Sequence, residues 1–274
     1  MSYQSLTQPS SIGRVLDSSF KLFAASLKSV WVIVVAMAII NVILQYSMFQ
    51  LMLPAQQLTN DEEIALYMAN VIPQTVGISI LMWAIIYVFY NAMIFRMGNV
   101  EDGIEDDLYD SLIVGIKKVM PVFIAVILYS LIVGVGMMLL IIPGLILMLT
   151  LMFYQVLIVV DNEGIISSLK TSHRLVWGNY WRTAAVITVP VIIMIVFLMI
   201  PGFIQGYTEA MNRADVLREG GAMAPYQYSF GIADIISVIL SSMAMAVLSA
   251  VFIVHLKDLK LRKSGSDLEQ RMGD

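Results

Sequence analysis

The sequence contains no cysteine and little charge. A chain without thiols forms no disulfide, holds no metal through thiolates and uses no cysteine nucleophile. Charged residues make up only 13% of the 274 residues and hydrophobic residues 59%, whereas a soluble domain is about a quarter charged and about half apolar. Together with a mean hydropathy of +0.84, this shortage of charge indicates a polytopic membrane protein and not a soluble domain.

Signatures of common active sites are also missing. The two histidines, His173 and His255, form no HExxH pair, and there is no GxSxG elbow, Walker loop or dinucleotide fingerprint. No charged residue falls in the middle of an apolar run, where proton- or ion-coupled transporters place such groups. We therefore expect no enzymatic activity, no cofactor, no metal, no coupled pumping and no nucleic-acid partner.

Six apolar runs predict six transmembrane helices in an all-α bundle. They cover residues 30–53, 76–95, 121–142, 145–160, 183–200 and 233–255. Prolines mark three of their ends: Pro54, Pro143 and Pro201. The fourth run reaches only about 24 Å at 1.5 Å per residue, against a hydrocarbon core of about 30 Å. It is therefore either a short complete span or a re-entrant hairpin.

The charge distribution predicts the orientation. Six spans place both termini on one side, and that side receives fourteen of the sixteen Lys and Arg residues, all except Arg213 and Arg218. By the positive-inside rule, both termini are cytoplasmic. The domains are then an amphipathic helix at 1–29, a transmembrane domain at 30–256 and a charged cytoplasmic tail at 257–274. The N-terminus lacks the features of a cleavable signal peptide, so we expect it to be retained.

Amphipathic segments at 11–28, 104–119 and 164–178 precede the odd-numbered spans. Apolar residues at spacings of three and four are typical of helices lying in the membrane interface, although for 11–28 a short cytosolic helix packed on the bundle would show the same pattern. The arrangement suggests three hairpins, each with its own surface helix. The acids at 101–110 lack EF-hand spacing and indicate a solvated helix start.

The third segment carries a candidate site for anionic lipid headgroups. Its members are cationic or aromatic: Lys170, Arg174, Trp177, Trp181 and Arg182. Lys and Arg near a membrane surface attract anionic headgroups, and Trp prefers the interface. An ordinary interfacial anchor without lipid selectivity is the alternative.

Uncharged polar residues inside the spans allow two interpretations. Asn41, Gln45, Asn91 and Gln155 could line a path for a polar solute, or they could hydrogen-bond between helices. In the last span Ser242, Ala246 and Ala250 form a small-xxx-small face. Such a face predicts close helix packing, either within one subunit or in a homo-oligomer.

The segment around 140–200 resembles a known family. The matching string contains Val160-Asp161-x-x-Gly164, Ser167-Ser168-Leu169, Ser172-x-x-Leu175-Val176 and Asn179-Tyr180-Trp181-Arg182. It is similar to the YciC-type bacterial inner-membrane proteins, and to the membrane domain fused to some glycerophosphoryl diester phosphodiesterases. The resemblance implies a bacterial inner membrane and transfers no catalytic residue, since the phosphodiesterase is a separate soluble barrel.

These observations predict a non-enzymatic integral membrane protein that binds or organises lipids or envelope partners. A passive channel or uncoupled transporter for a small polar solute is the alternative.

Overall fold

The computed structural model of the chain describes residues 3–54, 58, 60–218 and 230–273, with side chains described as far as residue 265 except at 212 and 215–217. The described part is mostly α-helical and contains no strand. Its helices are α1 Ile12–Met52, α2 Asp61–Asp102, α3 Leu108–Leu139, α4 Ile141–Leu151, α5 Tyr154–Val159, α6 Ile165–Val176, α7 Tyr180–Arg218 and α8 Ile232–Gly273. Six helical segments are long and apolar enough to cross a membrane, with α4 and α5 together forming the fourth. The predicted six-span all-α architecture is confirmed.

The helices are longer than the apolar runs. The predicted surface helix at 11–28 and the first span are one continuous helix, α1. The first two predicted spans are separated by residues 54–75, but α2 already begins at Asp61. The Asn60 side chain accepts the backbone N–H of Glu62 at 3.0 Å, and three acids occupy the first turn. Both features stabilise a helix start.

Proline was a poor guide to where helices end. The fifth span was expected to stop at Pro201, yet α7 continues to Arg218. Pro73 lies inside α2 and Pro121 inside α3. A proline removes one backbone hydrogen bond, and long transmembrane helices tolerate this because neighbouring groups and local adjustments satisfy the backbone.

The chain forms two compact units. The first comprises Met1–Val34, Tyr87–Ile192 and Met245–Asp274, and the second comprises Val35–Ile86 and Ile193–Ala244. The fourteen Lys and Arg residues assigned to the cytoplasmic side all belong to the first unit. In the second unit, the Tyr67 hydroxyl donates to the Leu51 carbonyl at 2.6 Å. The Phe230 ring lies 5.6 Å from that of Tyr46.

Small residues allow close helix contacts. A Cβ added to Gly115 of α3 would lie 2.3 Å from the carbonyl oxygen of Val88 in α2. By contrast, a Cβ on Gly134 of the same helix would meet nothing within 4 Å. The side chains of Ser242, Ala246 and Ala250 are buried within the chain, which fits packing inside one subunit. Their use between subunits stays a prediction.

Candidate functional site

Helix α6 has one buried and one exposed face. Its buried residues are Ser168, Leu169, Ser172, Leu175 and Val176. These residues also belong to the string that carries the family resemblance. On the opposite face Ile166, Lys170 and Arg174 recur every four residues and are exposed. The amphipathic pattern therefore arises because α6 packs its apolar face on the protein, and the cations are left at the surface.

Ser172 hydrogen-bonds α6 to the backbone at the break between α4 and α5. Its hydroxyl donates to the Thr150 carbonyl at 2.7 Å and accepts the Phe153 N–H at 3.1 Å. These two backbone groups lie where the fourth span is interrupted at Met152 and Phe153. Because an unsatisfied buried backbone group costs about 1–3 kcal/mol, one buried hydroxyl holds both the break and the surface helix in place.

A glycine turn joins α6 to α7. Gly178 has φ 89°, a left-handed conformation that favours glycine. Trp177 precedes it and is 60% exposed, and Trp181 in the first turn of α7 is 82% exposed. We call the exposed residues Lys170, Arg174, Trp177 and Trp181 the α6 surface.

Arg182, the fifth predicted headgroup residue, has a different environment. Its guanidinium lies 2.9 Å from the Asp258 carboxylate and donates to the Ser10 carbonyl at 2.5 Å. Arg262 contacts the same two groups at 3.0 and 2.7 Å, and the Ser10 N–H donates to Asp258 at 2.8 Å. We call Ser10, Arg182, Asp258 and Arg262 the clasp. Arg182 is thus engaged inside the protein.

The N-terminal residues before the clasp are attached at a second point. Tyr3 and Ser5 donate to the Glu101 carboxylate, which also pairs with Lys257 at 3.2 Å. Burial, and then the neighbouring Glu101, raises the pKa of the Tyr3 phenol well above its ordinary value. Tyr3 therefore remains a protonated hydrogen-bond donor across the physiological range. Residues 3–10 are held at both ends.

Two clefts open in the first unit. One of about 980 Å³ lies between residues 3–10 and the first turns of α1, where Arg14 and Lys21 line it. The other, of about 260 Å³, is lined by Glu101, Lys257 and Lys260 among others. Within the described part of the chain, no group of three His, Asp or Glu residues could hold a metal ion.

The four residues of the predicted polar path make different contacts. In the second unit, Asn41 donates to the Met37 carbonyl of its own helix at 3.0 Å, and Gln45 is exposed. In the first unit, Gln155 of α5 donates to the Asn91 side chain of α2 at 3.0 Å. This last contact is the interhelical hydrogen bond of the alternative interpretation. Neither cleft is lined by any of the four, and the path stays a prediction.

The clasp was not foreseen from the sequence. Asp258 and Arg262 lay in a segment interpreted as a charged tail, although their spacing of four on a helix was a usable signal. Ser10 gave no signal, because it lies 248 residues from Asp258.

The helices and their apolar surfaces define the class: a multi-pass α-helical membrane protein. The chain belongs to the family described as a domain of unknown function (DUF7847), whose model matches residues 18–256. It is also similar to UPF0259 membrane protein PC1_1998 of Pectobacterium carotovorum subsp. carotovorum (strain PC1), with 36% identity over 75 residues. That alignment covers 27% of this chain and 30% of the relative. No solved structure matches.

The similarity supports the part of the family resemblance that concerns bacterial membrane proteins. The relative is a bacterial membrane protein whose name gives no activity, and the matching family has no defined function. The link to glycerophosphoryl diester phosphodiesterases receives no support from either.

Proposed function

We propose that the protein is a non-enzymatic inner-membrane protein that binds anionic lipid headgroups at the cytoplasmic side through the α6 surface. One observation carries the proposal. Lys170 and Arg174 are exposed and form no ion pair with any residue that the structure describes. They share the surface with two exposed tryptophans.

Lys257 and Lys260 of α8 differ from Lys170 and Arg174 because they have acidic partners. Lys260 pairs with Asp161 at 2.5 Å, and Lys257 pairs with Asp102 at 3.0 Å. A cation that is neutralised within the protein attracts an external anion less. Lys170 and Arg174 keep their full attraction, about 1 kcal/mol each near an anionic surface.

The geometry of the surface also suits a membrane interface. Tryptophan favours the headgroup level, where its ring is half in an apolar medium. The hydrogen bonds of the buried Ser172 side chain fix α6 on the bundle. Binding of a headgroup by the two cations therefore requires no further ordering of the helix. The concentration of Lys and Arg in the first unit supports a cytoplasmic position.

A charge reversal tests the proposal. The double variant Lys170→Glu/Arg174→Glu would be placed in nanodiscs of zwitterionic lipid with a minority of anionic lipid. Native mass spectrometry of the released protein then counts the anionic lipids that it retains. Loss of two attractions of about 1 kcal/mol each predicts at least a thirtyfold weaker preference for anionic lipid.

The matched control is Lys28→Glu/Lys117→Glu, which changes two exposed cations elsewhere by the same net charge. We expect it to retain most of the bound anionic lipid. Unchanged retention in the α6 variant, or an equal loss in both variants, would contradict a lipid site at α6.

A further inference from the structure

The turn between α3 and α4 has no polar side chain and is exposed on every side. Five consecutive residues are involved, with the exposed fractions Met138 90%, Leu139 75%, Leu140 67%, Ile141 70% and Ile142 72%. A contiguous apolar patch of this kind is unfavourable in water. Since all five consecutive side chains are exposed, the turn is better suited to surrounding lipid chains than to a protein partner, which would cover one side.

Most N–H groups of the turn are hydrogen-bonded within the chain. The Leu140 N–H donates to the Gly136 carbonyl at 3.1 Å, and the Gly144 N–H donates to the Leu140 carbonyl at 3.3 Å. A helix leaves its first four N–H groups without intrahelical partners. In α4 one of these four positions is Pro143, which has no N–H, and Gly144 is already bonded. The donors that remain are the N–H groups of Ile141 and Ile142, so most N–H groups of the turn need no water, which permits a position in hydrocarbon.

The length of the hairpin fixes how far the turn reaches. Lys118 is the last charged residue before the turn and Asp161 the first after it. At 1.5 Å per residue, Leu140 lies about 33 Å along the helix from Lys118 and about 31 Å from Asp161. The hydrocarbon core is about 30 Å thick, and a tilted hairpin reaches less far. The turn therefore lies at the far boundary of the hydrocarbon core. It contains no polar residue that would extend into the water beyond.

The other two hairpins differ at this level. Helix α2 begins with Asp61, Glu62 and Glu63, and α7 continues past its apolar run to Glu209 and Arg213. Both carry charged residues that can reach water on the far side.

We propose that the turn at 138–142 ends in the acyl-chain region of the far leaflet and forms no aqueous loop, so that its partner is lipid. The second hairpin thus crosses nearly the whole bilayer without emerging from it. The first and third hairpins emerge.

The natural absence of cysteine makes a direct test possible. Single variants Met138→Cys and Ile141→Cys would carry a nitroxide spin label in reconstituted vesicles. Electron paramagnetic resonance then compares collisions with oxygen, which partitions into hydrocarbon, and with a polar nickel chelate, which stays in water. The controls are Ile127→Cys, an exposed position in the middle of α3, and Asn60→Cys, in the connection between α1 and α2.

We expect labels at 138 and 141 to match the label at 127, with frequent oxygen collisions and few nickel collisions, whereas a label at 60 shows the reverse. Nickel access at 138 and 141 equal to that at 60 would place the turn in water and overturn the proposal. Low access to both reagents would overturn it as well, since a protein surface such as a second copy would then cover the turn. Using two positions keeps the test valid if one variant folds poorly.

Discussion

Asp258 shows how burial decides what an ion pair contributes. Its carboxylate is 0% exposed and is shared by Arg182 and Arg262. The pair between Asp17 and Lys21 has similar geometry at 2.6 Å, but both side chains are more than half exposed. An exposed pair of this kind is worth little, whereas removing one partner of a buried cluster leaves charge without compensation.

Asp258→Ala should therefore destabilise the protein by about 3–5 kcal/mol, because two guanidinium groups and the Ser10 N–H lose their acceptor. Chemical unfolding in mild detergent, followed by circular dichroism, measures the difference. Asp17→Ala is the control and should cost at most about 0.5 kcal/mol. Equal stabilities of the two variants would mean that the clasp contributes nothing to folding.

The role of Arg182 could not be predicted from the sequence, because its partner is distant along the chain. Locally it is one of three cations within a cationic and aromatic segment, and local pattern groups it with Lys170 and Arg174. Its partner Asp258 comes 76 residues later. Only the packing of α8 against the start of α7 distinguishes the three.

At the scale of elements, hydropathy was a reliable predictor and proline was not. The six spans were predictable because each requires an unbroken apolar run. Helix ends were less predictable, since Pro73, Pro121 and Pro201 are all accommodated within helices. The interruption at Met152 and Phe153 had no local signal either, because Ser172, which satisfies it, belongs to another helix.

Two glycines of α3 provide a test of helix packing. Gly115→Ala should destabilise the protein by about 1–3 kcal/mol, because the new methyl group meets the Val88 carbonyl oxygen in α2. Gly134→Ala meets nothing and should be neutral, or stabilising by up to about 1 kcal/mol through helix propensity. Unfolding midpoints in detergent measure both. If both variants unfolded at the wild-type midpoint, α2 and α3 would be packed less closely than described.

At the scale of the whole molecule, the composition predicted a membrane protein and the apolar runs predicted the number of its spans, but neither predicted two units. The division cuts across α1, α2, α7 and α8, each of which contributes residues to both units. No change in composition marks Val35, Ile86 or Ile193, because the residues on either side of each point are equally apolar. Such a boundary depends on which helices surround one another.

The distribution of charge predicts one orientation for the whole chain. A cysteine introduced at Ser264, in the C-terminal part of α8, should react with an impermeant maleimide only from the cytoplasmic side. A cysteine at Asn60 should react only from the opposite side, because one span separates the α1–α2 connection from the N-terminus. Labelling of right-side-out and inverted vesicles measures this. Reaction of both positions from the same side would exclude the six-span topology with cytoplasmic termini.

The clasp also has a consequence for biosynthesis. Ser10 leaves the ribosome long before Asp258 and Arg262, which follow 248 and 252 residues later. At about 5–20 residues per second, Ser10 waits about 12–50 s before Asp258 and Arg262 exist, although Glu101 and Arg182 are made earlier. Throughout that interval the other helices are inserting while the Ser10 N–H lacks its Asp258 acceptor. Docking of Ser10 is therefore a late event, and a chain that terminates before Asp258 lacks the contact that closes the fold.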